Sequence, residues 1–136
     1  MRRFLLDTGI AGDYINHRHG VRNRAEEEVR RGNRIGIGAV VLAELLYGIE
    51  GSASRDENLK RLHRALPTLK VWSFDGLAAE AYGRIAAELK RIGRKMQVPD
   101  VMIAAIAMRL GNTIVVSSDS DLSAVPGLTV ENWAAE

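Results

Sequence analysis

Short apolar, β-branched runs that alternate with stretches of helical spacing constrain this chain more than any other feature. Arg2 to Leu6 reads as a strand that stops at the turn Asp7-Thr8-Gly9. Ile10 to Asn16 is a short helix, and Val21 to Arg31 a charged surface helix closed by Gly32-Asn33. Arg34 to Ala39 is the second strand. Val40 to Ile49 follows as an apolar helix interrupted by one charge, Glu44. Ser54 to Leu66 suits a capped helix, acidic in its first turn and basic later, ended by Pro67. Lys70 to Phe74 is the third strand, after which Asp75 caps a long helix with apolar residues at Ala78, Ala81, Tyr82, Ile85, Leu89 and Ile92. Pro99-Asp100 opens a helix, Val101 to Leu110, that is apolar nearly all round and therefore buried, with Gly111 as its stop. Thr113 to Val116 is a strand, Ser117 to Ser123 a polar turn, and Leu128 to Val130 a last short strand. This alternation predicts an α/β fold: a single-domain three-layer sandwich over 1–136, with a central, mainly parallel sheet flanked by helices. Such folds bind ligands at the edge where strands end and helices begin.

Composition narrows the chemistry. With 136 residues and 46% hydrophobic content, one domain with one core is expected. The chain has no cysteine, which excludes disulfides, thiolate metal sites and a cysteine nucleophile. His17, His19 and His63 lack metal-ligand spacing, so any metal must be held by oxygen. No apolar run reaches the roughly 18 residues of a membrane helix, and Asp7 interrupts the first one, so a soluble, cytoplasmic protein is expected. The net charge of +2 hides an asymmetry: residues 1–95 carry 18 Lys/Arg against 12 Asp/Glu, while residues 96–136 carry Arg109 alone against five acids. A basic body reads either as solvated helix faces or as a phosphate-binding surface.

The acids fall where the topology places a site. Asp7 ends the first strand, Asp119 follows the fourth, Asp100 starts the buried helix, and Glu44 lies within a side chain's reach of that edge. Gathered carboxylates repel, and a divalent cation relieves them; oxygen-only ligands favour a hard ion, Mg²⁺ or Mn²⁺. Singly, Asp7 reads equally as a turn residue, Asp100 as an N-cap behind Pro99, and Asp119 with Asp121 as a polar turn. Glu44 is harder to explain: flanked by Val40, Val41, Leu42, Ala43, Leu45 and Leu46, it should be partly buried with no cation within a helical turn.

Four segments in order resemble the PIN-domain nucleases, and within them the VapC-type toxins of toxin-antitoxin pairs. "FLLDTGI" resembles the opening strand with its metal-binding Asp7 and following Thr8; "VVLAELLYGIEGS" is similar to the second motif, with Glu44; "PDVMIAAIA" is similar to the third, with Asp100. "VVSSDSDLSAVPGLTVENW" resembles the closing segment, Asp119 in the fourth acidic place and Asp121 nearby. Gly9 departs from the usual Asn, Ser117 from a frequent Thr, and Leu122 from a common aromatic. The resemblance implies RNA phosphodiester cleavage with one or two Mg²⁺ or Mn²⁺ on Asp7, Glu44, Asp100 and Asp119, with Asp121 auxiliary. Thr8 and Ser117 would orient the carboxylates. It also implies a small antitoxin partner and a homodimer, whose contact Leu59, Leu62 and Leu66 could serve if they do not belong to the core. Because an acidic pocket repels RNA, cations on its rim are needed; Arg18, Arg22, Arg24, Lys90, Arg91, Arg94 and Lys95 are the candidates.

Two rival readings stay open on sequence grounds. Asp-Thr-Gly after an apolar strand is also the signature of aspartic proteases, but those are almost entirely β, whereas Leu77 to Ile92 and Val101 to Leu110 are helical by period. An inactive PIN-like module that binds RNA or a partner without cutting is the second, kept alive by Gly9.

Overall fold

The computed structural model describes residues 1–134; Ala135 and Glu136, the end of the expected 1–136 domain, lie outside the described residues. Strands β1 (Arg3–Leu6), β2 (Arg34–Gly38), β3 (Lys70–Trp72), β4 (Thr113–Val116) and β5 (Thr129–Glu131) form one sheet in the order β3-β2-β1-β4-β5. Every pairing is parallel, so the sheet expected to be mainly parallel is wholly so. Helices α1 (Thr8–Ile15), α2 (Val21–Arg30), α3 (Ala39–Glu50), α4 (Arg55–Ala65), α5 (Gly76–Arg91) and α6 (Val98–Leu110) flank it. The central strands explain their own sequences. Phe4, Leu5 and Leu6 of β1 and Ile114, Val115 and Val116 of β4 are all buried, because helices cover both faces and no alternation is required.

Two glycines set the spacing around β2. A Cβ at Gly36 would lie 2.5 Å from the carbonyl oxygen of Lys70 on β3, and one at Gly38 would lie 2.7 Å from Cδ1 of Ile106 on α6. Their missing side chains let the edge strand and the buried helix approach β2. As expected, α6 is the buried helix: Val101 and the run from Ile103 to Ala107 are inside, while Met108 and Arg109 at its end are exposed. It packs along α5, which buries Ala78, Ala81, Ile85 and Leu89.

Several local expectations are corrected. Ile92 does not join the apolar face of α5; it stands at the C-cap, half exposed. Pro99-Asp100 does not open α6, which begins at Val98 with Gln97 as N-cap, so Asp100 is the third helical residue rather than a cap. Pro99 sits in the first turn, where its missing N–H removes no helical bond. Ser54 occupies the N-cap position of α4 without a side-chain cap bond, whereas Asp75 caps α5 through the N–H of Ala78 at 2.8 Å. Leu62 is buried in the core and Leu66 packs against it, while Leu59 is half-buried. On α3 only Val41 is fully buried, Val40, Leu42, Leu45, Leu46 and Ile49 are partly so, and Tyr47 is 85% exposed.

A buried acid the sequence reading did not single out ties α2 to β2. Glu28 accepts hydrogen bonds from Arg24, Arg31 and the Asn33 amide. Burial alone would raise its pKa, but the bonds from Asn33 and Arg24 and the charges of Arg24 and Arg31 outweigh burial and hold it below the usual value.

Gly38→Ala should destabilise the protein by about 1–3 kcal/mol, since the new methyl must displace Ile106 from a closely packed helix. Urea denaturation measures this, and an unchanged midpoint would show that α6 is not pinned there.

Candidate metal and phosphodiester site

The site grows out of the register of the two central strands. Leu6 of β1 pairs with Val116 of β4, so the next residues, Asp7 and Ser117, are neighbours on the C-terminal edge of the sheet. The ladder extends past both: the Asp7 N–H donates to the Val116 carbonyl at 3.0 Å and the Ser117 N–H to the Glu131 carbonyl at 2.9 Å. The Ser117 hydroxyl donates to Oδ2 of Asp7 at 2.5 Å and accepts from the Asp119 N–H at 2.9 Å. One buried hydroxyl thus fixes one acid and the backbone of another. Oδ1 of Asp7 caps α1 through the Ile10 N–H at 2.8 Å, so Asp7 is a helix cap rather than the plain turn residue the sequence equally allowed, and the cap leaves its other oxygen for the site. Asp119 caps the 3₁₀ turn Ser120–Ala124 through the Asp121 N–H.

Glu44, half-buried on α3, accepts from the Thr8 hydroxyl at 2.5 Å, which ties the start of α1 to α3. α3 also packs on α6, which carries Asp100 in its first turn. The electrostatics show that the acids share one neighbourhood. The Asp100 carboxyl is held above the ordinary value first by burial, then by the charges of Asp119, Asp7, Glu44 and Asp121. That of Asp7 is raised chiefly by burial, with Asp119 and Asp13 adding to the rise and the bonds from Ser117 and Ile10 opposing it.

Among the described residues, no three acidic or histidine side chains stand close enough to enclose an ion as they are placed. Two of the acids have other partners: Thr8 holds Glu44, and Arg94 pairs with Asp121 at 2.8 Å. The donor set, carboxylates and hydroxyls without nitrogen or sulfur ligands, still fits a hard divalent cation that keeps part of its water shell and takes phosphate oxygens. A Cβ at Gly9 would lie 3.8 Å from Oδ1 of Asp7, so an Asn side chain there would stand beside this acid.

The seven candidate rim cations separate. Arg24 is drawn into the Glu28 cluster, lies within 3.5 Å of Glu131 and sits 5.1 Å from the centroid of the Trp133 ring. Arg91 pairs with Glu88 on its own helix. Lys90 and Lys95 line a groove with Arg94 that reaches Asp121 and so adjoins the acids. Arg18 and Arg22 lie beyond the other end of α1, in a groove shared with Arg61 and Arg64. Those last two were missed, although their spacing on a charged helix was a usable signal.

The PIN domain family matches residues 4–128. This chain belongs to the PIN domain family. The PIN domain is a nuclease fold, and the relatives bear this out: Ribonuclease VapC2 of Rickettsia felis is 30% identical over 130 residues, 96% of this chain and 97% of that one. The tRNA(fMet)-specific endonuclease VapC of Shigella flexneri is 35% identical over 135 residues, 98% of this chain and all of that one. Among solved structures, VapBC2 of Rickettsia felis bound to a DNA fragment from its promoter matches with a TM-score of 0.89 at 30% identity, covering 96% of this chain and 98% of that one. DNA-bound VapBC of Salmonella typhimurium matches with a TM-score of 0.87 at 32% identity, covering 98% and 99%. The aspartic protease reading fails here, since this PIN domain places Asp-Thr-Gly at the start of a helix in a parallel α/β sandwich.

Asp100→Asn should be more stable than the unsubstituted PIN domain at neutral pH in EDTA. A carboxyl whose folded pKa is raised contributes stability below the unfolded value, near 4, and loses it as pH rises through the raised value. Thermal melts from acid to neutral pH should therefore show the variant's advantage growing as pH rises; a constant or shrinking difference would contradict the crowding of charge on Asp100.

Proposed function

We propose that this PIN domain is an endoribonuclease that cleaves RNA phosphodiester bonds with Mg²⁺ or Mn²⁺, and that it is the toxin of a toxin-antitoxin pair. One observation carries the reading: the acids at positions 7, 44, 119 and 121 all raise or share the field around Asp100 at the strand-end edge, with Ser117 locking Asp7 and Asp119 together. Bound there, the divalent ion would supply an activated water and charge stabilisation at the scissile phosphate.

The chain's own groups do the positioning. Asp7, Glu44 and Asp100 would hold the principal ion, and Asp119, with Asp121, a second ion or the attacking water. Ser117 orients Asp7 and lowers its proton affinity, keeping a buried carboxyl available as a ligand. Thr8 does the same geometric work for Glu44. Arg94, paired with Asp121 in the substrate-free protein, is placed to exchange that partner for a phosphate, with Lys90 and Lys95 beside it. The antitoxin partner rests on the VapBC complexes among the similar structures, and the homodimer on the family resemblance alone. No helix is long and apolar enough to cross a membrane among the described residues. The Shigella relative's name makes initiator tRNA the first RNA to try.

Purified protein should cut RNA in Mg²⁺ or Mn²⁺ and stop in EDTA, and Asp7→Asn should lower kcat/KM by about 100-fold or more while remaining folded, since Asn also caps helices. Expression of the unsubstituted chain should arrest growth and that of Asp7→Asn should not. Folded protein that cuts no RNA with any divalent cation would favour the non-catalytic module instead.

A further inference from the structure

Four arginines converge on a groove away from the acids. Arg61 and Arg64 stand three residues apart on one exposed face of α4, and Arg18 and Arg22 approach from the turn before α2 and from its first residues. With Asn16 and His17 they line a groove of about 700 Å³ that no acidic side chain lines. Among the described residues Arg22, Arg61 and Arg64 enter no salt bridge, and the tie of Arg18 to Asp13 is a loose 3.6 Å. They are positioned rather than neutralised. Arg22 donates to the Tyr14 carbonyl at 3.2 Å and lies 4.1 Å over its ring, and Arg61 reaches Oδ1 of Asn16 at 3.4 Å. Like charges gathered in a concave surface focus a positive potential, and guanidinium forks match phosphate oxygens.

The position of the groove relative to the acids is set by α1. Thr8, its first residue, holds Glu44, while Asn16, its C-cap, lines the arginine groove. Eight residues of helix separate them by about 12 Å. A second recess lined by Thr8, Gly12, Glu44 and Asn58 runs between the two and shares Ile15 and Asn16 with the arginine groove. An RNA strand carries a phosphate at every nucleotide, so a short stretch of one strand can reach from the acids to the groove.

We propose that the arginine groove is a phosphate-binding exosite that grips the RNA strand away from the scissile bond. The proposal rests on the ribonuclease reading above and adds where the substrate is held. The groove's cations offset the repulsion that the acidic edge imposes on a polyanion. No Phe, Tyr or Trp side chain lines the groove and four arginines do, so it reads backbone before bases.

The test uses the Asp7→Asn protein, so that binding is measured without cleavage. Adding Arg61→Ala and Arg64→Ala should weaken binding of a fluorescent RNA of about 20 nucleotides roughly tenfold. The slope of log K against log salt between about 50 and 200 mM should flatten by ~1.4, the amount expected when two phosphates are no longer neutralised. A dinucleotide, whose single phosphate cannot engage both sites, should lose less than about twofold, and the Arg61→Lys, Arg64→Lys pair should retain most of the long RNA's affinity and its salt slope. Equal losses for both lengths, or no loss, would overturn the exosite. So would a variant that keeps its RNA affinity but no longer holds its antitoxin, because the groove would then serve an acidic protein segment. Failure of the unsubstituted protein to cut RNA would sink the ribonuclease reading itself, an outcome read separately from these binding curves.

Discussion

The Ser117 hydroxyl is the contact on which the site depends. It sits one residue beyond β4, donates to Asp7 one residue beyond β1, and receives the N–H of Asp119. A buried carboxylate is costly unless hydrogen-bonded or paired, and Asp7 has both oxygens engaged, one by this hydroxyl and one by the start of α1. The same carboxyl that terminates a strand therefore starts a helix and anchors the acidic edge. Fold and site are specified here by one residue's hydrogen bonds.

Charge is segregated around that anchor. Burial first and then the neighbouring acids raise the proton affinity of Asp100, while cations stand off in two grooves, one reaching Asp121 and one at the far end of α1. A surface with both signs separated by about the length of α1 suits a substrate that carries its charge at regular intervals, with metal ions at the reacting phosphate. Cations absorbed into structure, such as Arg24 against Glu28 and Trp133, serve the fold and leave the others to the ligand.

Much of the fold was legible because its signals are local. Parallel central strands read as continuous apolar runs, α6 as an all-round apolar helix, and the alternation of the two as an α/β sandwich. The acids were legible as a set through their places at element ends. What sequence could not supply was lateral. The partial burial argued for Glu44 is met, but the apolar run around it did not reveal that Tyr47 of the same helix stands in solvent. Asp100 lies inside the first turn rather than at the cap, a shift that Pro99 permits. Glu28 and the pair Arg61 and Arg64 went unnoticed because charged residues on a surface helix look alike until the packing shows which are buried and which converge.

The central claim is that the crowded carboxylates form a site for a hard divalent cation. The most direct measurement is the thermal midpoint of purified protein titrated with Mn²⁺, for the unsubstituted chain and for a variant in which both Asp7 and Asp100 are Asn. An ion that binds only the folded state stabilises it by about 2.7 kcal/mol at a hundredfold excess over Kd, so the unsubstituted midpoint should climb with Mn²⁺ while the variant, already relieved of its repulsion, starts higher and stays level. Parallel rises in both proteins, or none in either, would contradict a metal site built from these acids.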